Sequence, residues 1–546
     1  MKPLVLVVIA IAAAGCTLLS SAPFGISPAT IVSVMLFIHI ALHAKSTRVA
    51  MLLVFLTQIP LWLWLHFWIK DIALFGWIGI GLYMSIWAPL FILLVRKIQI
   101  PRISIVFTAP IFWVGLECLR GIVIFDGYPW YLAGTGLLGF PTQSIASVGS
   151  VWLASYVVVA IAAAIATINK VRWWTWASFS FLFLFFFVYG LRIPSNGGPR
   201  IDVAVIQTNV PQSNKVRWSW ERQLEDVVQA IDMTYEAVQH AKVKPSLIIW
   251  PETMLPGSGF EVDRFDFAPW DESFTPFWFW SEKIRMVSKE LDTPILVGSQ
   301  TWVDIEVIED SEYLRVEPAS QFNSAVLIQP DGTTQRYDKI FLTPFGERIP
   351  YVEKFPELKE WVREKVGAAM LFDLSAGGAP NRFSIPCTQI AHPRETEITF
   401  ATPICFEDTV PSVVRQLIWK NGERQADALI NLSNDGWFGD DDGARLQHVR
   451  EARMRCIENM TPMLRAANTG MSCLIDQDGQ VRDHSLPIRE SGILPARVFS
   501  GMGLPLSRFV GDSVAWLCLF GSILLIVISC VSCNKRSKGQ EDESST

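Results

Sequence analysis

Cys405 stands where an alternating run, Glu397-Ile-Thr-Phe-Ala-Thr-Pro-Ile404, comes to an end. With Ile398, Phe400 and Ile404 on one face, that run reads as a buried strand. Asp408 then serves as the expected N-cap of a short helix ending near Asn421-Gly422. A cysteine at such a strand-to-helix turn feels the positive end of the helix dipole, which favours the nucleophilic thiolate. Taken alone, a cysteine here reads as a small core hydrophobe. The argument for chemistry comes from two other residues.

Glu252, in Trp250-Pro-Glu252-Thr, ends the apolar run Leu247-Ile-Ile-Trp250. A carboxyl at a strand end beside Trp and Pro is partly desolvated, which lifts its pKa towards the range of a general base. Lys339, in Tyr337-Asp-Lys339, follows an Asp331-Gly332 turn and precedes Phe341-Leu-Thr-Pro-Phe-Gly-Glu347. An ammonium held in an apolar site can stabilise a developing oxyanion. Singly, these two read as an exposed loop glutamate and a solvated hairpin lysine. Together with Cys405 they supply a base, an electrostatic stabiliser and a nucleophile.

The elements that must position them alternate. Strands are expected at Ile201–Gln207, Ser246–Trp250, Pro294–Gly298, Asn323–Gln329, Ala428–Leu432 and Ser472–Ile475. Helices are expected at Glu221–Ala241, Phe277–Glu290 and Arg445–Met460. This is an α/β domain of roughly 300 residues, large enough for one complete core. Cys456 shares a helical face with Leu446, Val449, Ile457 and Met460 and reads as core, while Cys473 lies in a strand. Cys387 is the rival nucleophile, but neither an acid nor a helix follows it.

Of the 546 residues 51% are hydrophobic and only 18% charged, and the first 190 are nearly uncharged. The net charge of −6 and the absence of a basic stripe exclude a nucleic-acid partner. No CxxC or Cys/His cluster implies a metal, and no cofactor is implied. Seven apolar runs precede the globular region, at about Leu4–Ser20, Ser27–His43, Val49–Trp68, Ile72–Val95, Ile103–Leu119, Ile145–Ile168 and Trp173–Leu191. An eighth, Val514–Val531, follows it. Lys2, Lys45 and Arg48, Arg96, Lys97 and Arg102, Lys170 and Arg172, and Lys535, Arg536 and Lys538 fall at the start, in alternate loops and after the last span. By the positive-inside rule both termini are cytoplasmic and the globular domain lies outside. Ala13-Ala-Gly-Cys16 imitates a lipoprotein signal, yet more spans follow at once, so an uncleaved first span is expected. Glu117 and Arg120, at the end of the fifth span, are either functional or a pair snorkelling at the interface.

These observations divide the chain into a seven-span domain (1–195), an extracytoplasmic catalytic domain (196–508), a last transmembrane helix (509–533) and a disordered cytoplasmic tail (534–546). The order of Glu252, Lys339 and Cys405 resembles the nitrilase superfamily, whose fold is an αββα sandwich. With the spans, the whole chain is similar to bacterial apolipoprotein N-acyltransferases. That resemblance rests on Asn209-Val-Pro-Gln-Ser213, Trp250-Pro-Glu252, Lys339-x-x-Leu-x-Pro-Phe-Gly-Glu347, Cys405-Phe-Glu407, Asn434-Asp-Gly-Trp-Phe-Gly439, Ala452-Arg-Met-Arg455 and Leu464-Arg-Ala-Ala-Asn468.

The resemblance implies Glu252 as proton acceptor, Lys339 as oxyanion stabiliser and Cys405 as nucleophile. It also implies Glu347, which orients the lysine, and Glu407 as supporting acids. The chain departs from the family at Phe406, where an aromatic hydroxyl is common, and at Val216, where a tryptophan is common and Trp218 follows two residues later. The implied reaction moves an acyl chain from a phospholipid, through a cysteine thioester, to the α-amino group of a lipoprotein's diacylglyceryl cysteine, with ping-pong kinetics. Partners are then the phospholipid donor, the apolipoprotein acceptor and the bilayer of a bacterial inner membrane. Two aromatic stretches, Phe260 to Trp280 and Phe341 to Trp361, are candidate lids that keep water from the thioester, or else core. The competing readings are a membrane-tethered amidase using the same triad, and a transporter or sensor with an inert outer domain.

Overall fold

The computed structural model describes residues 1–544 except 101–102, 171, 192–197, 212–218, 258, 261–278, 310–313, 353–354, 356, 358–360, 362–373 and 389–396. The chain forms two compact units, Met1–Arg192 with Phe509–Thr546, and Ile193–Arg508.

Among the described residues of the first unit six helices are long and apolar enough to cross a membrane: Pro3–Ser20, Thr47–Leu65, Leu74–Lys97, Ile105–Asp126, Pro141–Ala166 and Ser513–Ser532. Two shorter apolar helices, Ala29–His43 and Thr175–Gly190, fall on the other two expected spans. Small residues such as Ala10, Ala13, Ala41, Ala50, Ala162 and Ala163 fill the helix interfaces, where they let backbones approach. Large side chains such as Leu4, Phe75, Phe181 and Leu517 point outward, a surface that suits lipid and not water. The unit is a helical membrane bundle.

Glu117 and Arg120 do not snorkel. Both are buried. Arg120 donates from Nη1 to the carbonyls of Tyr128 (3.1 Å) and Trp130 (2.7 Å). Glu117 Oε1 accepts from the backbone N–H of Ala133 (2.7 Å) and from Trp113 Nε1 (2.9 Å). Arg120 holds the Gly127-Tyr-Pro-Trp130 segment against its helix and Glu117 holds the Ala133 turn that follows, supplying partners that this backbone would otherwise lack.

The second unit contains strands β1 (Arg200–Gln207), β2 (Leu247–Ile249), β3 (Ile295–Glu309), β4 (Leu314–Ile328), β5 (Thr334–Asp338), β6 (Phe383–Pro386) and β7 (Glu397–Ala401). A two-residue pair, β8 (Trp419–Lys420) and β9 (Glu423–Arg424), comes next. Then follow β10 (Ala428–Ser433), β11 (Met463–Ala467), β12 (Cys473–Ile475), β13 (Val481–Ser485) and β14 (Gly492–Phe499). Two six-stranded sheets result, ordered β14-β1-β2-β3-β4-β5 and β13-β12-β11-β10-β7-β6.

The inner strands β1, β2 and β3 pair in parallel, as do β7, β10 and β11. Such strands are covered on both faces, which is why Leu247-Ile-Ile-Trp250 is a continuous apolar run with every side chain fully buried. Each of those side chains contributes roughly 1.5–3 kcal/mol by leaving water. Helices Trp220–Gln239 and Phe279–Leu291 cover the first sheet with Val227, Ile231, Ile284 and Val287. Helix Asp442–Asn459 belongs to the second sheet, where Arg453 Nε donates to the Gly479 carbonyl at 2.7 Å. The architecture is the expected αββα sandwich. Its site-bearing residues follow the ends of β2, β5, β7 and β10, the usual place for a site in an α/β domain.

One local expectation changes and one open alternative is decided. The α-helix after Cys405 begins at Pro411 and ends at Ile418, while Cys405–Thr409 form a separate 3-10 turn. Asp408 is therefore not an N-cap; Pro411, whose ring presets helical φ, opens the helix. The first aromatic stretch, where described, is core rather than lid: Phe260 and Trp280 are buried and pack with Ile284 and Val297. Its residues Phe265, Phe267, Trp270, Phe274, Phe277 and Trp278 lie outside the described residues, as do Val216 and Trp218.

Candidate active site

Cys405 opens its turn in the left-handed region, at φ 50°. For a residue with a Cβ that conformation costs of order 1–3 kcal/mol and persists only where the surroundings enforce it. Glu407 does so. Its Oε2 accepts the Ile404 N–H at 2.8 Å, and its Oε1 accepts the N–H groups of Ile340 (2.8 Å) and Phe341 (2.9 Å). Both oxygens also lie 3.0 Å from the Tyr337 hydroxyl. One fully buried carboxylate thus ties the cysteine's turn to the segment that follows Lys339. Burial pushes the Glu407 carboxyl up to about 7, with Lys339 and the N–H donors opposing. From β10, Asn431 Nδ2 donates to the Pro403 carbonyl at 3.0 Å and reinforces the turn.

The helix dipole does not produce a resting thiolate. Burial first, then the Glu252 carboxylate, raises the Cys405 thiol well above its ordinary value against the pull of Lys339. The protonated thiol therefore needs a base, and Glu252 is a suitable one.

Glu252 is buried at the end of β2. Its Oε1 accepts from Asn323 Nδ2 at 2.7 Å and its Oε2 from the Asn434 backbone N–H at 2.7 Å. Burial and the nearby Glu347 raise its pKa, while Lys339 and the hydrogen bonds lower it; the net shift is upward. The loop reaches this position because β3 presents Gly298 there: a Cβ would meet the Glu252 Cα at 2.5 Å.

Lys339, 1% exposed, follows β5 and donates to Glu347 Oε2 at 2.7 Å and to Thr343 Oγ1 at 3.3 Å. Burial works against its charge, but Glu347, Cys405, Glu252 and Glu407 outweigh that and hold the ammonium above its usual range. Glu347 also accepts the Thr343 N–H at 2.8 Å, and its Oε1 lies 3.1 Å from Asn323 Nδ2. Burial would raise the Glu347 carboxyl, yet Lys339 holds it below the ordinary range.

Asn323 therefore joins the Glu252 and Glu347 carboxylates through one amide. Sequence reasoning missed it, since a polar residue within a strand carries no signal of what it faces. The five expected site residues fall into two linked sets: Glu252, Lys339 and Glu347 around Asn323, and Cys405 held by Glu407. Cys387 lies just past the end of β6. Among the described residues no group of three or more His, Cys, Asp or Glu side chains is arranged to hold a metal ion.

A carbon–nitrogen hydrolase model matches residues 202–498, more than half of the chain. The chain belongs to the carbon–nitrogen hydrolase family. Residues 13–164 match a second model, the apolipoprotein N-acyltransferase N-terminal domain. A protein named apolipoprotein N-acyltransferase from Geobacter metallireducens is 28% identical over 517 residues, 90% of this chain and 89% of its own. One of the same name from Pseudomonas syringae pv. tomato is 28% identical over 516 residues, 90% of each chain. Among solved structures, a carbon–nitrogen hydrolase superfamily protein from Xanthomonas campestris aligns with 58% of this chain and 96% of its own, at 17% identity and TM-score 0.32. The family's hydrolase unit here carries a membrane bundle on the same polypeptide.

Proposed function

We propose that this protein is a bacterial membrane enzyme, an apolipoprotein N-acyltransferase, which moves an acyl chain from a phospholipid to the N-terminal diacylglyceryl cysteine of lipoproteins. The observation that carries the reading is the union, in one chain, of a helical membrane bundle with a hydrolase unit in which Glu252, Lys339 and Cys405 follow strand ends. Matches to acyltransferases along 90% of the chain support it.

The chemistry follows from the site. Glu252 takes the thiol proton as Cys405 Sγ attacks the ester carbonyl of the donor. Lys339, kept charged by Glu347, stabilises the oxyanion. Collapse of the tetrahedral adduct breaks the ester C–O bond, and the departing lysophospholipid takes the proton from Glu252. A thioester remains on Cys405. The acceptor's amine attacks it, Glu252 removes the amine proton, and the thiol is restored as the amide forms. The alternating basic loops support a topology with both termini cytoplasmic and this unit on the outer side, where mature lipoproteins present their N-termini.

The test is intact mass of the purified full chain after incubation with phospholipid. A gain of one acyl chain, discharged by a diacylglyceryl lipopeptide, is expected. A folded protein that gains no acyl mass, or whose adduct only water removes, sinks the transferase reading and favours an amidase or other hydrolase.

Phe345, Tyr351, Phe355 and Trp361 follow Lys339 and remain 43–60% exposed, an unusual concentration of apolar rings in water. They suit contact with acyl chains and shielding of the thioester. Phe355→Asp with Trp361→Asp is expected to slow acylation from phospholipid vesicles about tenfold, roughly 1.4 kcal/mol, without lowering the melting temperature. Unchanged turnover on vesicles removes this role.

A further inference from the structure

Behind the cysteine's turn lies a sealed group of four ionisable side chains that the mechanism above does not use. Asp408, Asp435, His448 and Arg465 are each no more than 1% exposed. His448, on helix Asp442–Asn459, directs Nε2 to Asp408 Oδ1 at 2.7 Å and Nδ1 to Asp435 Oδ1 at 3.2 Å. Arg465, on β11, pairs with Asp408 Oδ2 and lies 3.6 Å from Asp435 Oδ2. Arg465 Nη2 is a more distant neighbour of His448 Nδ1, at 3.5 Å, than the Asp435 carboxylate is.

A ring that meets a carboxylate at both nitrogens donates from both, and is an imidazolium. Two carboxylates then face two cations, the balance that allows such charges to be buried. Burial opposes the ring's charge, but Asp408 and Asp435 prevail over it and over Arg465, and lift His448 to about 9. The elements packed around the ring contribute Asp408, Asp435 and Arg465 as its charged neighbours, with the Phe438 ring edge-on to it.

Where the two carboxylates sit gives the group its meaning. Asp408 belongs to the same five-residue turn as Cys405. Asp435 directly follows Asn434, whose N–H holds Glu252 Oε2 at 2.7 Å. His448 therefore spans the segment carrying the nucleophile and the segment fixing the base. Two further features hold the span in place. Arg455, on the same helix as His448, donates to the Thr409 carbonyl at 3.0 Å. A side chain at Gly470 would collide with the Asp435 carboxylate, so only glycine leaves room for it.

We propose that His448 is a positioning residue for this reaction: by bridging Asp408 and Asp435 it sets the approach of the Cys405 thiol to the Glu252 carboxylate. The inference rests on the roles given above to those two residues. A displacement of about 1 Å at a reacting pair can cost on the order of a hundredfold in rate. A ring that loses a proton presents a lone pair to one carboxylate, and the bridge opens.

The experiment compares wild type, His448→Gln and Asp408→Asn as full-length proteins. It reads single-turnover acylation from phospholipid vesicles and iodoacetamide alkylation of Cys405 across pH 6–10, alongside thermal melts. His448→Gln is expected to acylate about 10- to 100-fold more slowly with donor KM within twofold of wild type. Its alkylation should slow at the pH values where the thiol is protonated, because Glu252 no longer meets the thiol to take its proton. In wild type the acylation rate should fall as pH rises through about 9, and the variant should lack that fall. A purely structural histidine would lower the melting temperature and leave the alkylation profile where it was.

A folded His448→Gln protein with both rates within twofold of wild type overturns the inference. If that variant does not fold, Asp408→Asn, which removes the charge that holds both His448 and Arg465, should slow acylation about tenfold, an effect whose absence is equally fatal. If neither folds, the wild-type profile decides, and no decline above pH 9 sinks the proposal. Failure of wild type itself to gain an acyl group would instead refute the transferase reading.

Discussion

Cys405→Ser is expected to abolish acyl loading, lowering the rate of lysophospholipid release by roughly 10⁴-fold or more while the protein still folds. Serine keeps the shape of the side chain and the left-handed backbone at φ 50°, and the Glu407 bonds that enforce that backbone do not involve the sulfur. What changes is the acid to be deprotonated. A thiol, even one raised by burial and by Glu252, remains within reach of a carboxylate base whose own pKa is raised. A hydroxyl lies several pKa units further away, and any ester formed would resist the amine more than a thioester does. Intact mass after incubation with phospholipid reads the first effect, and thermal melting confirms the fold. A serine variant that still gains an acyl chain at the wild-type rate would place the nucleophile elsewhere, with Cys387 the first residue to examine.

The parts of the site that were legible in the sequence are those whose signal is local. Leu247-Ile-Ile-Trp250 announces a strand covered on both faces, and Glu252 must then fall at its end. The alternating run before Cys405 likewise placed it after β7, while Lys339 was placed by the Asp331-Gly332 turn that precedes it. What the sequence hid depends on partners far away in the chain. Asp408 has the spacing of an N-cap, but His448 and Arg465, 40 and 57 residues later, take up its carboxylate. The state of the thiol was misjudged for a related reason. A dipole can be inferred from a turn, whereas desolvation by the whole fold cannot, and here desolvation is the larger effect.

The β3–β4 hairpin also exceeds its expected length. Beyond Gly298 the strand continues as Ser-Gln-Thr-Trp-Val-Asp, where polar residues interrupt the apolar run although pairing with β4 continues. Trp280 shows the limit of composition as a guide. Its aromatic neighbours left lid and core equally open; it is core, 4% exposed, and its Nε1 donates to Gln223 at 3.2 Å.

Glu252→Gln should slow thioester formation by about 10²–10⁴-fold, the range spanned by positioned general bases. The substitution is nearly isosteric but removes the proton acceptor. It also places an amide NH₂ against a donor, because Asn323 Nδ2 and the Asn434 N–H both donate to the native carboxylate. Chemistry and packing can be separated by pH. The raised pKa of Glu252 means that its basic form is lost as pH falls through a value above the ordinary carboxyl range, so wild-type acylation should decline there. That acid limb should vanish in the glutamine variant. Raising the pH towards 10 should then recover part of the variant's rate, since hydroxide increasingly supplies the thiolate that Glu252 no longer generates. Recovery with pH would identify the lost function as proton removal. A deficit that stays constant across the whole range would instead assign Glu252 to holding Asn323 and Asn434 in place, and the base would have to be sought elsewhere.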